Sequence, residues 1–314
     1  MMKQTQMAKT FATLLSIGLV LTGCSATAPS AAVPTEMPVM NQAIHDALPK
    51  KIKDAGELTV VISYANPPWF ITDPGKTGEY TGAGAQLMDR VGDVMGVDVN
   101  IVAIPDIAGA FAAISSERYA FGFPYADLTG GPQERAGAEF VGVLQEVLPF
   151  LVLEGNPKKI SSLDELCGVT VAASANAATY KAAEAQKLKC EAKGETLDVL
   201  GTTSIPNGVL AVRSGRADAF FTGGAAIFYA AQESEGELEV VGDEFDNGFE
   251  GAFMGALLPE GSDLTQPLLG AFQILFDNGE YETIMKNWGM DREMIEKPGI
   301  NLHTGWIQNN PSSN

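Results

Sequence analysis

From residue 58 onward the apolar positions recur in two alternating rhythms. Leu58-Thr59-Val60-Val61-Ile62 is a β-rich run, and Leu87, Met88, Val91, Val94 and Met95 then return at helical spacing before residues 97–102 alternate again. A period of two, then of about 3.6, then of two again predicts a β-α-β unit. Gly96 stands where a helix end favours a left-handed residue. A helix over 107–116 then leads into an apolar strand at 120–123. Beyond residue 165 the pattern restarts, with strand 169–173, helix 177–187, strand 197–200, helix 207–214 and strand 217–221. Residues 109–121 can be laid beside 208–220, each reading as an amphipathic helix, a polar turn and a buried strand, so the chain holds two similar α/β units. Near the end Pro267 opens a helix to about 276, Asn278-Gly279 breaks it, and a last helix covers 281–288. The tail, 304–314, is polar and reads as frayed.

The N-terminus follows another pattern. Lys3 and Lys9 precede an apolar run at 11–20, and Leu21-Thr22-Gly23-Cys24 follows it. This looks like a bacterial lipoprotein signal, which is exported, cut before the cysteine and lipidated on it. The alternative is an ordinary signal peptide with Cys24 near its cleavage site by chance. On the first reading, 1–23 is signal and the mature chain starts at Cys24, in the periplasm or at the cell surface, anchored by lipid to a bacterial membrane. Residues 24–53, rich in Ala, Ser, Thr and Pro at their head, read as a flexible tether. No other stretch approaches the roughly 20 consecutive apolar residues of a spanning helix.

Charge removes some partners. The chain has 39 acidic residues against 20 Lys and Arg, a formal net charge of −19. Losing the signal removes two lysines and no acid. Nucleic acid and anionic lipid surfaces would be repelled. The remaining roughly 260 residues suffice for one large domain or two smaller ones. With Cys24 assigned to lipid, Cys167 and Cys190 remain, and an even pair in an oxidising compartment points to a disulfide. A metal site is the weaker alternative, since no His lies near either cysteine. No metal or other cofactor is expected.

Gly56-Glu57-Leu58-Thr59-Val60, Pro67-Pro68-Trp69-Phe70, residues 78–82, Gln133-Glu134-Arg135, Ser214-Gly215-Arg216-Ala217-Asp218-Ala219, Gly279-Glu280-Tyr281 and Asn287-Trp288-Gly289 resemble, in order and spacing, the family-3 solute-binding proteins. These are extracytoplasmic receptors of amino-acid ABC importers. Leu166-Cys167-Gly168 followed by Cys190 also resembles a disulfide found in part of that family. The resemblance covers about residues 54 to 302. It implies an α/β, two-lobe periplasmic-binding-protein-like (type II) fold, with two crossover strands and a ligand held in a hinged inter-lobe cleft. The first crossing is placed near 147–151 and the return near 247–252. Lobe 1 is then discontinuous, 54–147 plus 253–303, and lobe 2 is 148–252. The implied partners are a small-molecule solute and an importer permease, with the chain acting as a monomer.

The resemblance also implies a site. Arg135 matches the arginine that grips a ligand carboxylate through a bidentate pair; its other reading is a surface arginine on a Gly- and Pro-rich loop. Trp69 and Phe70 match an aromatic wall, although neighbours in an extended segment point opposite ways, which leaves one of them to simple core packing. Tyr64 and Asn66 are candidates from the same loop. In lobe 2, Asn176 and Thr179 sit where a helix N-terminus could meet a carboxylate, while Ser174 or Asn176 could instead merely cap that helix. Tyr125, Asp127, Thr222 and Gly223 complete the set.

The chain departs from the family at three places. Thr222-Gly223-Gly224 stands where amino-acid receptors carry an acid for the ligand ammonium. Pro132 replaces a threonine, with Thr129 displaced, and Gly84 replaces an acid near the start of the first-lobe helix. An ammonium closed in without an anion is costly, so either another acid serves, with Asp127 and Glu250 the nearest candidates, or the ligand lacks the ammonium. The favoured solute is a small carboxylate-bearing compound, amino acid first. Rival functions are a periplasmic accessory or sensory protein, and a dehydratase-type enzyme on the same fold. The enzyme is disfavoured because His45 and His303, the two histidines, lie in the tether and near the tail.

Overall fold

The computed structural model describes residues 39–63, 66–72, 78–104, 107–127, 137–175, 177–242 and 252–303. Two short helices, α1 (Gln42–Ala47) and α2 (Lys50–Ala55), precede β1 (Glu57–Ile62), α3 (Ala83–Met95), β2 (Asp98–Ala103), α4 (Ile107–Ser115), β3 (Phe121–Asp127) and β4 (Ala138–Gln145). Next come β5 (Phe150–Leu153), β6 (Thr170–Ser174), α5 (Ala178–Ala192), β7 (Asp198–Thr202), α6 (Ile205–Arg213), β8 (Ala219–Phe221), α7 (Gly224–Gln232) and β9 (Leu238–Val241). The chain closes with β10 (Phe253–Pro259), α8 (Thr265–Asp277), α9 (Glu280–Asn287) and β11 (Met294–Ile300).

These strands form two sheets, ordered β11-β4-β10-β3-β1-β2 and β7-β6-β8-β5-β9. In the first, β1 pairs in parallel with β2 and β3 while β10 runs antiparallel to β3. In the second, β6 pairs in parallel with β7 and β8 while β5 runs antiparallel to β8. The order edge, centre, third strand, antiparallel neighbour is therefore the same in both sheets. This is the two-lobe α/β architecture the sequence implied.

Each lobe is a sheet with helices on both faces. In β1, Leu58, Val60 and Ile62 enter the larger core with α3, α8 and α9, while Val61 faces Ala110, Ile114 and Phe140 on the α4 side. That is the alternation a two-sided strand requires. Gly96 ends α3 at φ 68°, in the left-handed region. In the second lobe, Val171, Ala183, Cys190 and Phe221 pack under α5, and Ala211, Val212, Phe220 and Ile227 pack under α6 and α7. The Cys167–Cys190 disulfide joins a 3-10 turn at Leu163–Leu166 to the end of α5. C-terminal helix α9 is hooked to the first sheet by the Tyr281 hydroxyl, which donates to the Val143 carbonyl at 2.7 Å.

Residues 42–53, which composition assigned to the tether, fold onto the first lobe as α1 and most of α2. Leu48 is buried in its core, Ile44 and Ile52 pack against it, and the Asn41 N–H donates to the Val94 carbonyl. Six-residue helices bring only one or two apolar residues inward, too few for a period to register. Cys24 and the 304–314 tail lie outside the described residues.

The chain passes from the first sheet to the second through residues 146–149, between β4 and β5. There the Glu146 N–H donates to the Ala252 carbonyl at 2.9 Å, joining the crossing to the segment that enters β10. The Gly224 N–H donates to the Val147 carbonyl at 2.8 Å, tying the same crossing to the start of α7.

Candidate functional site

A cavity of about 240 Å³ opens beside this crossing. Its lining comes from both lobes: Ile62, Ser63, Asn66, Trp69, Phe70, Pro124 and Met254 from the first, Glu146 from the crossing, and Ser174, Ala177, Ile205, Thr222, Gly223, Ala225 and Ala226 from the second. Ile62 and Ser174 end β1 and β6, and Thr222 follows β8. Ligands of open α/β sheets bind outside such carboxyl ends.

The first-lobe wall is aromatic. Residues 67–69 form a turn closed by the Phe70 N–H donating to the Asn66 carbonyl at 3.0 Å. Pro68 and Trp69 carbonyls accept from the N–H groups of Ala83 and Gly84 at the head of α3. Because the segment turns rather than extends, Trp69 and Phe70 both line the cavity and both belong to the core. Trp69 meets Phe123 edge to face at 5.8 Å, and Phe70 meets Tyr80 likewise at 6.0 Å. Gly84 is the seat of Phe70: a Cβ there would lie 2.7 Å from the ring and 2.9 Å from the Trp69 carbonyl oxygen.

The second-lobe wall sets two hydroxyls among small and apolar side chains. Ser174 and Thr222 hydroxyls share a hydrogen bond of 3.2 Å between the ends of β6 and β8. Ala177 is the N-cap of α5, with no side-chain hydrogen bond to the helix. Ser174 thus bonds across the sheet instead of capping α5. Thr179, in the first turn, is buried with its Oγ1 unpartnered among the described residues. Thr179 does not line the cavity, whereas the uncapped N–H groups at the head of α5 can receive an anion.

Among the described residues, Glu146 is the one acid in the lining. Burial pushes its pKa up to about 7. Glu293, from a 3-10 turn at Asp291–Glu293, reaches the same place: its Oε1 accepts from the Val147 N–H at 3.3 Å, and the Ala225 N–H also donates to its carboxyl. Burial first, and then the neighbouring Glu146, hold Glu293 well above the ordinary carboxylate range.

Other expected site residues fall elsewhere. Tyr125 packs with Val61 and Phe140 on the α4 face, and Asp127 is buried at the end of β3; neither lines the cavity. Tyr64, Arg135 and Asn176, together with Thr129, Pro132 and Glu250, lie outside the described residues. Sequence reasoning missed Glu146 and Glu293. A signal for the first existed: Gln145-Glu146 interrupts an otherwise apolar stretch from 140 to 153. Among the described residues no cluster of His, Cys, Asp or Glu suits a metal ion.

No family model matches the chain. It is 27% identical to the arginine-binding protein ArgT of Corynebacterium glutamicum over 277 residues, 86% of this chain and 84% of that protein. An ancestral cationic amino-acid solute-binding protein superposes with a TM-score of 0.63 at 22% identity, covering 76% of this chain and 98% of its own. An amino-acid ABC transporter substrate-binding protein of Streptococcus pneumoniae, bound to L-arginine, superposes at 0.59 with 14% identity, covering 79% and 100%. The chain is thus similar in sequence to an arginine-binding protein and in fold to amino-acid-binding proteins. The two glycines that stand where the sequence resemblance sets acids now have physical contexts. Gly84 makes room for Phe70, and a Cβ on Gly223 would lie 2.5 Å from Glu146 Oε1.

Proposed function

We propose that this chain is the lipid-anchored, extracytoplasmic receptor of an ABC importer, and that it captures a small carboxylate-bearing solute, amino acid first, by closing its lobes about the crossings. The observation that carries this is the cavity walled by both lobes at the crossing, where a ligand would contact both and so favour the closed state. Lobes of 54–147 plus 253–303 and of 148–252 would turn on that hinge. Arg135 and the α5 N-terminus take the carboxylate, and Trp69 and Phe70 form the apolar wall. Cys24 carries the lipid that keeps the receptor beside its permease. The names of the relatives put arginine and other amino acids first among the solutes to try.

The test is a thermal-shift panel of amino acids and organic acids, with small-angle scattering on each hit. A ligand at about 100 times its Kd should add about 2.7 kcal/mol of stability, and the radius of gyration should shrink. Arg135→Ala should abolish the shift. A panel without any shift, or hits only among solutes lacking a carboxylate, would overturn the reading. Recovering the bound solute chemically unchanged is the outcome that separates a receptor from a dehydratase.

A further inference from the structure

We infer that Glu146 is the cation-binding residue of the cleft: its carboxylate holds a protonated nitrogen of the solute, in the space where relatives present an acid from the position of Gly223. This rests on the receptor reading above and adds to it the charge class of the ligand.

The geometry argues it in three steps. Glu146 lies on the crossing itself, fixed by its N–H to the Ala252 carbonyl, and its side chain lines the cavity between the lobes. Among the described residues its carboxyl has no hydrogen-bond donor and no ion-pair partner, and no Lys or Arg lines the cavity. An enclosed carboxylate in that state demands a cation or a proton.

The second step is steric. Gly223 has φ −58° and ψ 140°, a conformation open to any residue, so its backbone does not require glycine. Its neighbour is the Glu146 carboxyl: a Cβ there would come within 2.5 Å of Glu146 Oε1. A side chain at 223 would therefore move the carboxylate from where it stands. Where the family resemblance sets an acid, this chain has a glycine with a carboxylate from the crossing directly beside it.

The third step is electrostatic. Among the described residues, the groups that share the cavity with Glu146 carry no positive charge, the Ser174 and Thr222 hydroxyls among them, and the neighbouring Glu293 has its own carboxyl held by the Val147 and Ala225 N–H groups. Burial and Glu146 together favour the protonated form of Glu293, so the negative charge of the pair falls on Glu146, and a carboxylate under low-dielectric walls selects a cation. Trp69 in the same lining is an aromatic of the kind that ammonium and guanidinium groups favour.

Calorimetry on the purified full chain decides the matter, with L-arginine, L-glutamine, 5-guanidinopentanoate and 2-oxoglutarate as probes. Wild type should bind an amino acid, and Glu146→Gln should weaken that binding on the order of a hundredfold without lowering the melting temperature of the empty protein. The double variant Glu146→Ala with Gly223→Asp, which returns the acid to its family position, should recover a good part of the loss. If the α-ammonium is held, Glu146→Gln weakens L-arginine and L-glutamine alike; if a side-chain guanidinium is held, it weakens L-arginine and 5-guanidinopentanoate and spares L-glutamine. Unchanged affinity in Glu146→Gln would overturn the inference, since the neutral amide copies a carboxyl that merely fills space. Preference of the wild type for 2-oxoglutarate would overturn it too, while leaving a solute receptor standing. Silence toward all four probes and toward the wider thermal-shift panel would overturn both.

Discussion

The two walls of the cleft line one cavity and are built in different ways. On the first-lobe side, Trp69 and Phe70 are core residues that also touch the cavity. Trp69 leans on Phe123, which stacks on Phe272 of α8 at 6.1 Å, so the wall continues into the largest hydrophobic cluster of the chain. On the second-lobe side, the wall is a pair of hydroxyls, a helix N-terminus, one glycine and the side chains of Ala177, Ile205, Ala225 and Ala226, over a sheet whose faces hold two smaller clusters. One wall cannot change without disturbing the fold, whereas the other exposes chemistry that can be exchanged one group at a time. Ligand shape is therefore tied to stability on one side, and ligand chemistry is free to vary on the other.

The largest test of that contrast is Phe70→Ala. Truncating a fully buried phenylalanine costs about 3–5 kcal/mol, and Phe70 is 1% exposed. Urea unfolding should show that loss, together with lost solute binding. A cost under about 1 kcal/mol would mean that Phe70 is a replaceable lining residue and that the walls are alike.

How far the sequence could be read follows the same division. Strands and helices with a clear period, such as β1, α3, β6 and α6, were legible because each buries one face in a regular way. The aromatic wall was legible too, but its geometry was not. An extended segment would have sent Trp69 and Phe70 in opposite directions, and the turn closed on the Asn66 carbonyl brings both to the cavity. The pairing of the hinge acids was illegible for a further reason. Glu146 and Glu293 are 147 positions apart, and their meeting depends on the C-terminal segment returning to the first lobe. Gly223 looked like a missing charge because sequence position stood in for position in space.

The second test concerns those acids and is expected to be somewhat smaller. The unfolded chain titrates Glu146 near 4.5 and the folded chain near 7. Between these values the unfolded state has released a proton that the folded state keeps, so stability is full below about pH 4.5, falls as pH rises, and levels off above about 7. The loss is on the order of 3 kcal/mol. Glu293, also raised, acts in the same direction. Subtracting the Glu146→Gln profile from wild type, by denaturation at pH 4.5, 6 and 7.5, should expose the slope. Superimposable profiles would show that the carboxyl is not enclosed, and the cleft would lose its one feature that is both polar and costly.

The smallest effect belongs to Thr222→Val. Valine keeps the shape of the side chain and removes the hydroxyl that meets Ser174 Oγ at 3.2 Å. A neutral hydrogen bond of this kind contributes about 1 kcal/mol. Ser174 lines the cavity and, with its partner gone, can turn to water there. The stability loss should therefore stay at or below about 1 kcal/mol, several times less than for Phe70→Ala, although both residues line the same cavity. Ligand affinity is the sharper readout, because the hydroxyl lines the same cavity as Glu146 and would feel a charged group brought there. A cost in stability matching that of Phe70→Ala would show that the hydroxyl pair is holding the second lobe together, and the contrast between a wall made of core and a wall made of exchangeable groups would fail.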